Sequence, residues 1–241
     1  MAELPKTLED AIAQAREATQ AAIADGYSRL QVELLFPELK PMPVALQFLP
    51  VFDQLGSQLK VFFPDAGAAA LARRDWGDVP FKILEIGTGR LPVQQQVQPE
   101  DRAFLFVAPS AVEVAQVEKL CEEAGSSRPF VMLNPRLEDV STIGIGYAGR
   151  QLRSRFLNTI ESCYHIRPLD GAALLRCYPD PWQVWRETGN DYQLIAELPK
   201  KPVGEELDQI LAGTTQPSGS PPPKKAGFLT NLQRFMRTLS R

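Results

Sequence analysis

The amino-acid sequence predicts an α/β fold. We expect a mostly parallel twisted sheet with helices on both faces (Rossmann-like) and an antiparallel edge hairpin, followed by a linker and a C-terminal amphipathic helix. Strand patterns alternate with helical patterns through most of the 241 residues, which is typical of α/β sheets. Gly189 and Asn190 separate the last two strand patterns and suit the turn of a hairpin. The composition, with 44% hydrophobic and 23% charged residues, is that of a globular protein.

The first predicted elements are a helix and a strand with clear sequence signals. Thr7 and Asp10 have the spacing of a helix start, and apolar residues recur at helical spacing until Gly26. Between Leu30 and Phe36, apolar residues alternate with polar ones, which predicts a half-buried strand. The elements predicted next are a short helix up to residue 52 interrupted near Pro50, a strand at 59–63, a helix around 66–74, and strands at 81–86 and 103–107.

The second half of the chain begins with the best-marked helix. Ser110 and Glu113 have the spacing of a capping box, and Gly125 ends the helical pattern that follows them. Trp182 and Trp185 lie three positions apart, so a strand at this place directs them to opposite faces. The elements predicted after Gly125 are a strand at 130–133, a helix from about 148 to 164, strands at 173–177, 183–186 and 192–198, and a helix at about 204–211.

The pattern changes after residue 212 and predicts three segments: an α/β domain at 1–212, a flexible linker at 213–226 and a basic amphipathic tail helix at 227–241. The linker has no large apolar residue and cannot bury enough surface to offset its ordering entropy. In the tail, six apolar residues cover an arc of about 120°, opposite Arg234, Arg237 and Arg241. These six are Phe228, Leu229, Leu232, Phe235, Met236 and Leu239. The pattern predicts binding to an anionic membrane or to a partner's groove, with docking on the chain's own domain, or disorder, as alternatives.

Charge and composition narrow the function classes. The chain has 26 Lys and Arg against 29 Asp and Glu, and because residues 213–241 hold five of the basic residues and no acid, the tail carries +5 and the remainder −8. An acidic body lacks the basic face that nucleic-acid binding needs. No apolar run is long enough to span a bilayer and no targeting segment is recognised, which predicts a cytoplasmic protein. Three cysteines without CxxC spacing are expected to be buried, reduced thiols: Cys121, Cys163 and Cys177.

One candidate site is the glycine-rich segment at the start of the predicted helix 148–164. Gly144, Gly146 and Gly149 match the GxGxxG pattern, but a loop rather than a first βαβ strand precedes them, so a flexible glycine loop is favoured over a dinucleotide site. Arg150 and Arg153 follow in the first turns of the helix, which suits an anion such as phosphate or a partner's carboxylate. For Arg153, which lies in the apolar arc of the predicted helix, a buried ion pair is the alternative, whereas Arg155 is expected to be solvated.

A second candidate is the turn after the buried strand at 130–133. Asn134 and Arg136 lie where α/β sheets place ligand-contacting loops, which would let Arg136 and Arg150 share a pocket; ordinary turn chemistry is the alternative. His165, the single histidine, is expected to cap the C-terminus of the predicted helix 148–164. No serine or cysteine has a motif partner for it, so we predict no catalytic residue, no metal site and no cofactor.

Four stretches of the chain together resemble the domain-of-unknown-function 1995 family of oxygenic phototrophs. They are RLQVELLFPEL at 29–39, NPR at 134–136, GRQLRSRF at 149–156 and LLRCYPDPWQV at 174–184. The resemblance covers roughly residues 5–200 and excludes the tail. It implies similarity to the low-photosystem-II-accumulation type of plastid assembly factor, which assists the chlorophyll-binding inner-antenna subunit at the stromal membrane face. A similar domain is also found fused to a plastid adenylate kinase. The family supplies no catalytic residues, and the lack of a transit peptide is expected of a cyanobacterial member.

Two functional hypotheses follow. The first is a non-enzymatic photosystem biogenesis or assembly factor, peripheral to the cytoplasmic side of the thylakoid membrane, that binds a photosystem subunit or assembly intermediate. Its tail helix would contact protein or the anionic thylakoid lipid surface. The second is an enzyme or sensor that binds a phosphate- or nucleotide-bearing ligand at the loop and helix from Gly144 to Arg153. No P-loop supports the second, because GxxxxGK[ST] is absent and Gly87-Thr88-Gly89 has no following lysine.

Overall fold

Local sequence signals set the ends of the helices in the computed structural model, which describes residues 2–87, 92–138, 147–189 and 191–213. The Thr7 hydroxyl accepts a hydrogen bond from the Asp10 N–H at 3.0 Å, and the Asp10 carboxylate accepts one from the Thr7 N–H, which completes the predicted capping box. The Asp65 carboxylate caps a later helix through the Ala68 N–H. Gly125, at φ 73°, ends another helix in the left-handed region that favours glycine.

The described residues contain seven α helices and nine strands. The helices are α1 (Leu8–Ala24), α2 (Pro41–Phe48), α3 (Ala66–Trp76), α4 (Val93–Gln96), α5 (Val114–Ala124), α6 (Tyr147–Arg155) and α7 (Glu205–Ala212). The strands are β1 (Arg29–Leu34), β2 (Leu59–Phe63), β3 (Lys82–Glu85), β4 (Ala103–Val107), β5 (Phe130–Leu133), β6 (Glu161–Leu169), β7 (Ala172–Cys177), β8 (Trp182–Thr188) and β9 (Asp191–Leu198). Short 3-10 helices cover Leu49–Phe52, Gly56–Gln58 and Leu157–Thr159.

All nine strands form one sheet in the order β3-β2-β4-β5-β1-β6-β7-β8-β9. The six strands from β3 to β6 in this order are parallel, and β7, β8 and β9 extend the sheet antiparallel to one another. The predicted mostly parallel α/β sheet with an antiparallel edge hairpin is therefore confirmed, although the antiparallel part is larger than one hairpin. β1 lies near the middle, paired with both β5 and β6.

Helices cover both faces of the sheet. On one face, α1, α2 and α3 pack against β1, β2, β4 and β5 in the largest apolar cluster. On the other face, α5 and α6 pack against β2, β4 and β5. Leu175 belongs to the first face, so its neighbour Leu174 points to the second, where it packs with Trp182 and α7 at the far end of the sheet. Trp185 packs against the first cluster, as expected from its spacing with Trp182.

The predicted helix from 148 to 164 is wrong in its second half. The helix α6 ends at Arg155, and residues 161–169 form β6 instead, next to β1. Leu152, Phe156, Ile160 and Tyr164 recur at helical spacing, but a central strand buried on both faces is also rich in apolar residues. His165 therefore lies within a strand and does not cap a helix.

The expectation of a buried ion pair for Arg153 is also wrong, whereas Arg155 is exposed as expected. The Arg153 Nε lies 4.0 Å from Glu138 Oε1, and its side chain is 27% exposed, so it is not buried. The Arg155 side chain is 58% exposed, and it makes two hydrogen bonds, at 2.6 and 2.8 Å, to the carboxylate of the buried Glu118 on α5. The expectation assumed a helix that continues to residue 164, whose apolar face would include Arg153. The helix instead ends at Arg155, and its last turn faces α5.

The capping box predicted at Ser110 lies one turn too early for α5. The Ser110 N–H and hydroxyl both donate to the Glu113 carboxylate, at 2.9 and 2.6 Å, but this closes a turn before the helix, which begins at Val114. The predictions for Gly144 and Gly146, for most of the linker and for the whole tail helix concern residues outside those that the structure describes. Within the residues that are described, none of the helices has the length and apolarity that a bilayer span requires.

Candidate functional site

A cavity of about 720 Å³ opens over β1, on the face of the sheet that α5 and α6 cover. We call it the β1 cavity. It lies at the carboxyl ends of β4 and β5, where the loops after these strands form part of its wall. The lining residues are Gln31, Glu33, Ser110, Ala111, Val112, Pro135, Arg136, Leu137, Glu138, Leu157, Ile160 and Lys201.

The topology of the sheet accounts for the position of the cavity. The chain leaves β1 towards α2, on the α1 face, whereas the helix after the neighbouring β5 is α6, on the opposite face. Adjacent strands whose connections leave on opposite faces create a crevice at the carboxyl edge of a sheet, which is where open α/β sheets bind ligands. The site therefore follows from the order of the strands.

Two similar turns place side chains at the mouth of the cavity. After β4 the chain continues with Ala108 at φ 50° and then a proline, and after β5 with Asn134 at φ 49° and then a proline. The Asn134 Oδ1 accepts a hydrogen bond from the Leu34 N–H at 2.6 Å, which ties the β5 turn to the end of β1. The Arg136 N–H donates to the Pro109 carbonyl at 2.7 Å, so the turn after β5 is hydrogen-bonded to the turn after β4.

Arg136 is the exposed cation at this mouth. Its backbone is fixed, because the turn that carries it is hydrogen-bonded to the turn after β4. Its guanidinium makes no hydrogen bond or ion pair within the part of the chain that the structure describes. A guanidinium offers five donors in a planar fork that suits a carboxylate or a phosphate. Arg136 is therefore the residue of this cavity best placed to receive an anionic group.

The floor of the cavity contains a buried carboxylate and imidazole. Glu33 on β1 accepts a hydrogen bond from the Nδ1 of His165 on β6 at 2.7 Å. Gln31 donates to the same carboxylate oxygen at 3.4 Å, and the Lys201 Nζ lies 3.7 Å from it. The His165 ring is fully buried and lies 5.1 Å from the Trp182 ring, and the Lys201 ammonium lies 5.4 Å from the same indole.

This arrangement sets the charges of the two groups. Burial disfavours the imidazolium and lowers the pKa of His165, although the bond to Glu33 acts in the opposite direction. Burial alone would raise the pKa of Glu33, but the hydrogen bond from His165 and the positive charge of Lys201 outweigh it and lower that pKa. At neutral pH we therefore assign an ionised Glu33 and a neutral His165 that donates through Nδ1. The His165 Nε2 is buried without a partner among the described residues.

Part of the cavity lining is apolar. Val112 lies in the segment between β4 and α5, and its side chain is 70% exposed although the preceding Ala111 is buried. Leu157 and Ile160, from the 3-10 turn between α6 and β6, contribute partly buried side chains. Exposed apolar area rimmed by charged groups is typical of binding surfaces.

Ser110 and the three cysteines are not available as nucleophiles in the β1 cavity. The Ser110 hydroxyl donates to Glu113 at 2.6 Å. Burial raises the pKa of the Cys121 thiol to about 11, that of Cys163 to about 12 and that of Cys177 to about 11, which keeps all three protonated at neutral pH. The prediction of buried cysteines is confirmed for Cys121 and Cys163, whereas Cys177 is half-buried. None of these thiols lines the β1 cavity.

The structure separates the ligand-binding candidates that the sequence indicates. Arg136 lines the cavity, and Asn134 lies beside it with its amide bound to the backbone of β1. Arg150 is exposed on α6 and is not among the lining residues, so it does not share the pocket with Arg136. Gly149 is buried within α6, and Arg153 does not line the cavity but lies 4.0 Å from Glu138, which does.

Sequence reasoning missed the floor of the site: Glu33, His165 and Lys201. Glu33 was interpreted as one of the polar residues on the solvent side of a half-buried strand, and its side chain is 13% exposed. One signal was available, because a single histidine in an apolar strand needs a polar partner.

Comparison with known protein families matches this architecture to one family. A family model described as a domain of unknown function (DUF1995) matches residues 5–209, which extends from the residues before α1 into α7. The match therefore includes the whole sheet and every residue that lines the β1 cavity. The chain belongs to the DUF1995 family.

Proposed function

We propose that this protein is a non-enzymatic photosystem biogenesis factor that binds a segment of a photosystem subunit or assembly intermediate in the β1 cavity. The observation that carries the proposal is the composition of the cavity: it is lined both by Arg136, whose guanidinium has no partner among the described residues, and by the exposed side chain of Val112. Arginine beside exposed apolar side chains is typical of surfaces that recognise protein segments. The likeness to plastid assembly factors, noted for stretches that include β1 and the Asn134–Arg136 turn, directs the proposal to photosystems.

The chemistry of the cavity favours binding over catalysis. A general base must reach a substrate proton, yet the His165 ring is fully buried and is held by Glu33 beneath the cavity. The Ser110 hydroxyl donates to a carboxylate that already closes a turn. The residues that face the cavity are thus better suited to holding a ligand than to activating one.

We further propose that the protein acts at the cytoplasmic face of the thylakoid membrane. The basic amphipathic pattern at residues 227–241 supports this part of the proposal, because such helices bind anionic lipid surfaces or apolar grooves. In this proposal the tail brings the domain close to membrane-bound intermediates, and the β1 cavity selects the partner.

The test is a pull-down from solubilised thylakoids with four forms of the tagged protein. These are the wild type, Arg136→Ala, a form truncated after Ala212, and the control Arg74→Ala, whose side chain is 73% exposed on α3. We expect the wild type and the control to retain a photosystem subunit and Arg136→Ala to lose it. Equal recovery by the wild type and Arg136→Ala would place the contact elsewhere, and recovery of no photosystem subunit by the wild type would refute the proposal.

The exposed guanidinium of Arg136, which has no partner among the described residues, also favours a second candidate, a phosphate- or nucleotide-bearing small molecule in the same cavity. Such a ligand would stabilise the folded chain by mass action. Thermal unfolding in the presence of nucleotides and inorganic phosphate distinguishes the two candidates. A rise in melting temperature that Arg136→Ala abolishes would support the small-molecule candidate.

A further inference from the structure

We propose that the β1 cavity recognises an acidic polypeptide segment, in which a carboxylate is held by Arg136 and an adjacent apolar side chain packs against Val112, Leu157 and Ile160. This inference rests on the proposed binding function and adds the chemistry of the partner. It follows from the charges of the cavity, from the position of its apolar wall and from the donors that remain free.

Within the described part of the chain, the ion pairs of the lining residues leave one positive charge, that of Arg136, without a counterion. Glu33 is ionised and lies 3.7 Å from the Lys201 ammonium, so these two charges compensate each other. Glu138 lies 4.0 Å from Arg153, which compensates the second carboxylate. Arg136 is the remaining charged group among the lining residues, and the cavity therefore suits a ligand with one negative charge.

This charge distribution favours a carboxylate over a phosphate. A dianionic phosphate at Arg136 would carry one negative charge more than the single uncompensated guanidinium neutralises. A carboxylate of a glutamate or aspartate residue needs only the guanidinium fork, which binds it in a bidentate manner. The Lys201 Nζ lies 3.5 Å from His165 Nδ1 and 3.7 Å from the Glu33 carboxylate, and because an ammonium has three N–H donors it can offer a further one to the ligand.

The apolar wall favours a polypeptide over a free small acid. Val112 is 70% exposed, and Leu157 and Ile160 line the same cavity, so a branched aliphatic side chain beside the carboxylate would cover apolar area on both partners. A volume of about 720 Å³ is large enough for two or three residues of an extended segment. The recognised segment is therefore an acidic residue flanked by an aliphatic one.

The test uses the full chain and a random heptapeptide library displayed on phage. We expect the selected peptides to be enriched in Asp or Glu next to Leu, Ile or Val. A fluorescein-labelled selected peptide is then titrated in fluorescence polarisation. Arg136→Ala in the protein, or Glu→Gln in the peptide, should each weaken binding at least tenfold, Val112→Ser should weaken it several-fold, and Arg74→Ala should leave it unchanged. Arg136→Glu should bind a version of the peptide with Lys in place of the acid.

Several results would overturn the inference. The first two are the selection of no peptide at all and the selection of peptides without enrichment in acids. The third is peptide binding that survives Arg136→Ala. The fourth is a competition experiment in which inorganic phosphate displaces the peptide and has a higher affinity for the site than the peptide has. The outcomes also separate the inference from the proposed function. Acidic peptides that bind through Arg136, with no photosystem subunit recovered from thylakoids, would refute the photosystem role alone. A photosystem subunit captured through Arg136 by a segment without acidic residues would refute only the inference.

Discussion

Acidification should destabilise the folded chain through its single histidine. The pKa of His165 is lowered in the folded state from the ordinary value of 6.5, chiefly by burial. As the pH falls, the histidine therefore binds a proton in the unfolded chain at a higher pH than in the folded chain. The contribution of His165 to the free energy of unfolding is fully present above about pH 6.5 and is lost as the pH falls below that value. One proton is worth about 1.4 kcal/mol per pH unit, so with an unfolded-state pKa of 6.5 the loss between about pH 7.5 and about pH 5.5 is at most about 1.4 kcal/mol. The lowered pKa of Glu33 gives a change of the same sign, below its ordinary value of 4.5.

Urea unfolding at a series of pH values measures this effect. The control is His165→Asn, whose amide can donate to Glu33 from near the position of Nδ1 but does not titrate. The variant should show a lower stability than the wild type at neutral pH and a nearly flat dependence between about pH 7.5 and about pH 5.5. A wild-type stability that rises on acidification, or a slope that His165→Asn retains in full, would refute the assignment of a neutral buried imidazole.

Two further predictions concern buried polar contacts. Lys60→Met should destabilise the chain by about 3–5 kcal/mol in urea unfolding, because Lys60 and Asp101 form an ion pair at 2.7 Å with each side chain 2% exposed, and the variant leaves the carboxylate uncompensated. Lys82→Met is the matched control, since Lys82 is opposite Lys60 in the sheet but exposed; an equal effect of both variants would refute the argument. Asn134→Ala should cost about 2–3 kcal/mol by the same measurement, since it leaves the buried Leu34 N–H without its partner and an alanine at φ 49°. A cost below about 1 kcal/mol would mean that the β5 turn is held by other contacts.

The buried parallel strands were the most predictable part of the fold. The bounds predicted for residues 103–107 and 130–133 agree with those of β4 and β5. Both are short apolar runs between polar or proline-containing segments, and both are fully buried. A strand buried on both faces gives this signal because every position along it must be apolar. The helix α1 was predictable for a different reason, since its start is fixed by a local capping box.

The strand β6 could not be predicted in the same way, because its alternation is broken. The pairing of β1 with β6 shifts register between Gln31 and Val32, opposite the stretch that contains Cys163 and Tyr164. Both of these neighbours face α1, where Cys163 contacts Thr19 and the Tyr164 hydroxyl donates to Gln14. A register shift of this kind removes the period of two and leaves an apolar spacing that resembles a helix.

The candidate site was predictable only in the part that local sequence determines. Arg136 follows a strand directly, and the rule that loops at carboxyl ends carry ligands indicates it. The floor depends on tertiary pairing: Glu33 and His165 are 132 positions apart in the sequence, and His165 and Lys201 are 36 apart. No local pattern records which strands will be neighbours, so the sequence alone could not bring these residues together.

The antiparallel extension of the sheet is part of the site. A carboxylate on the central strand β1, largely removed from water, needs a counterion, and the described neighbours of Glu33 on β1 and β6 supply only neutral hydrogen-bond donors. The ammonium comes from Lys201, which the chain reaches only after β7, β8 and β9. Trp182, at the start of β8, supports both the buried imidazole and that ammonium. A chain that ended after β6 would leave Glu33 without its cation and one edge of the cavity without its wall. The parallel and antiparallel parts of the sheet therefore form one functional unit, because the charge on the first is balanced by the second.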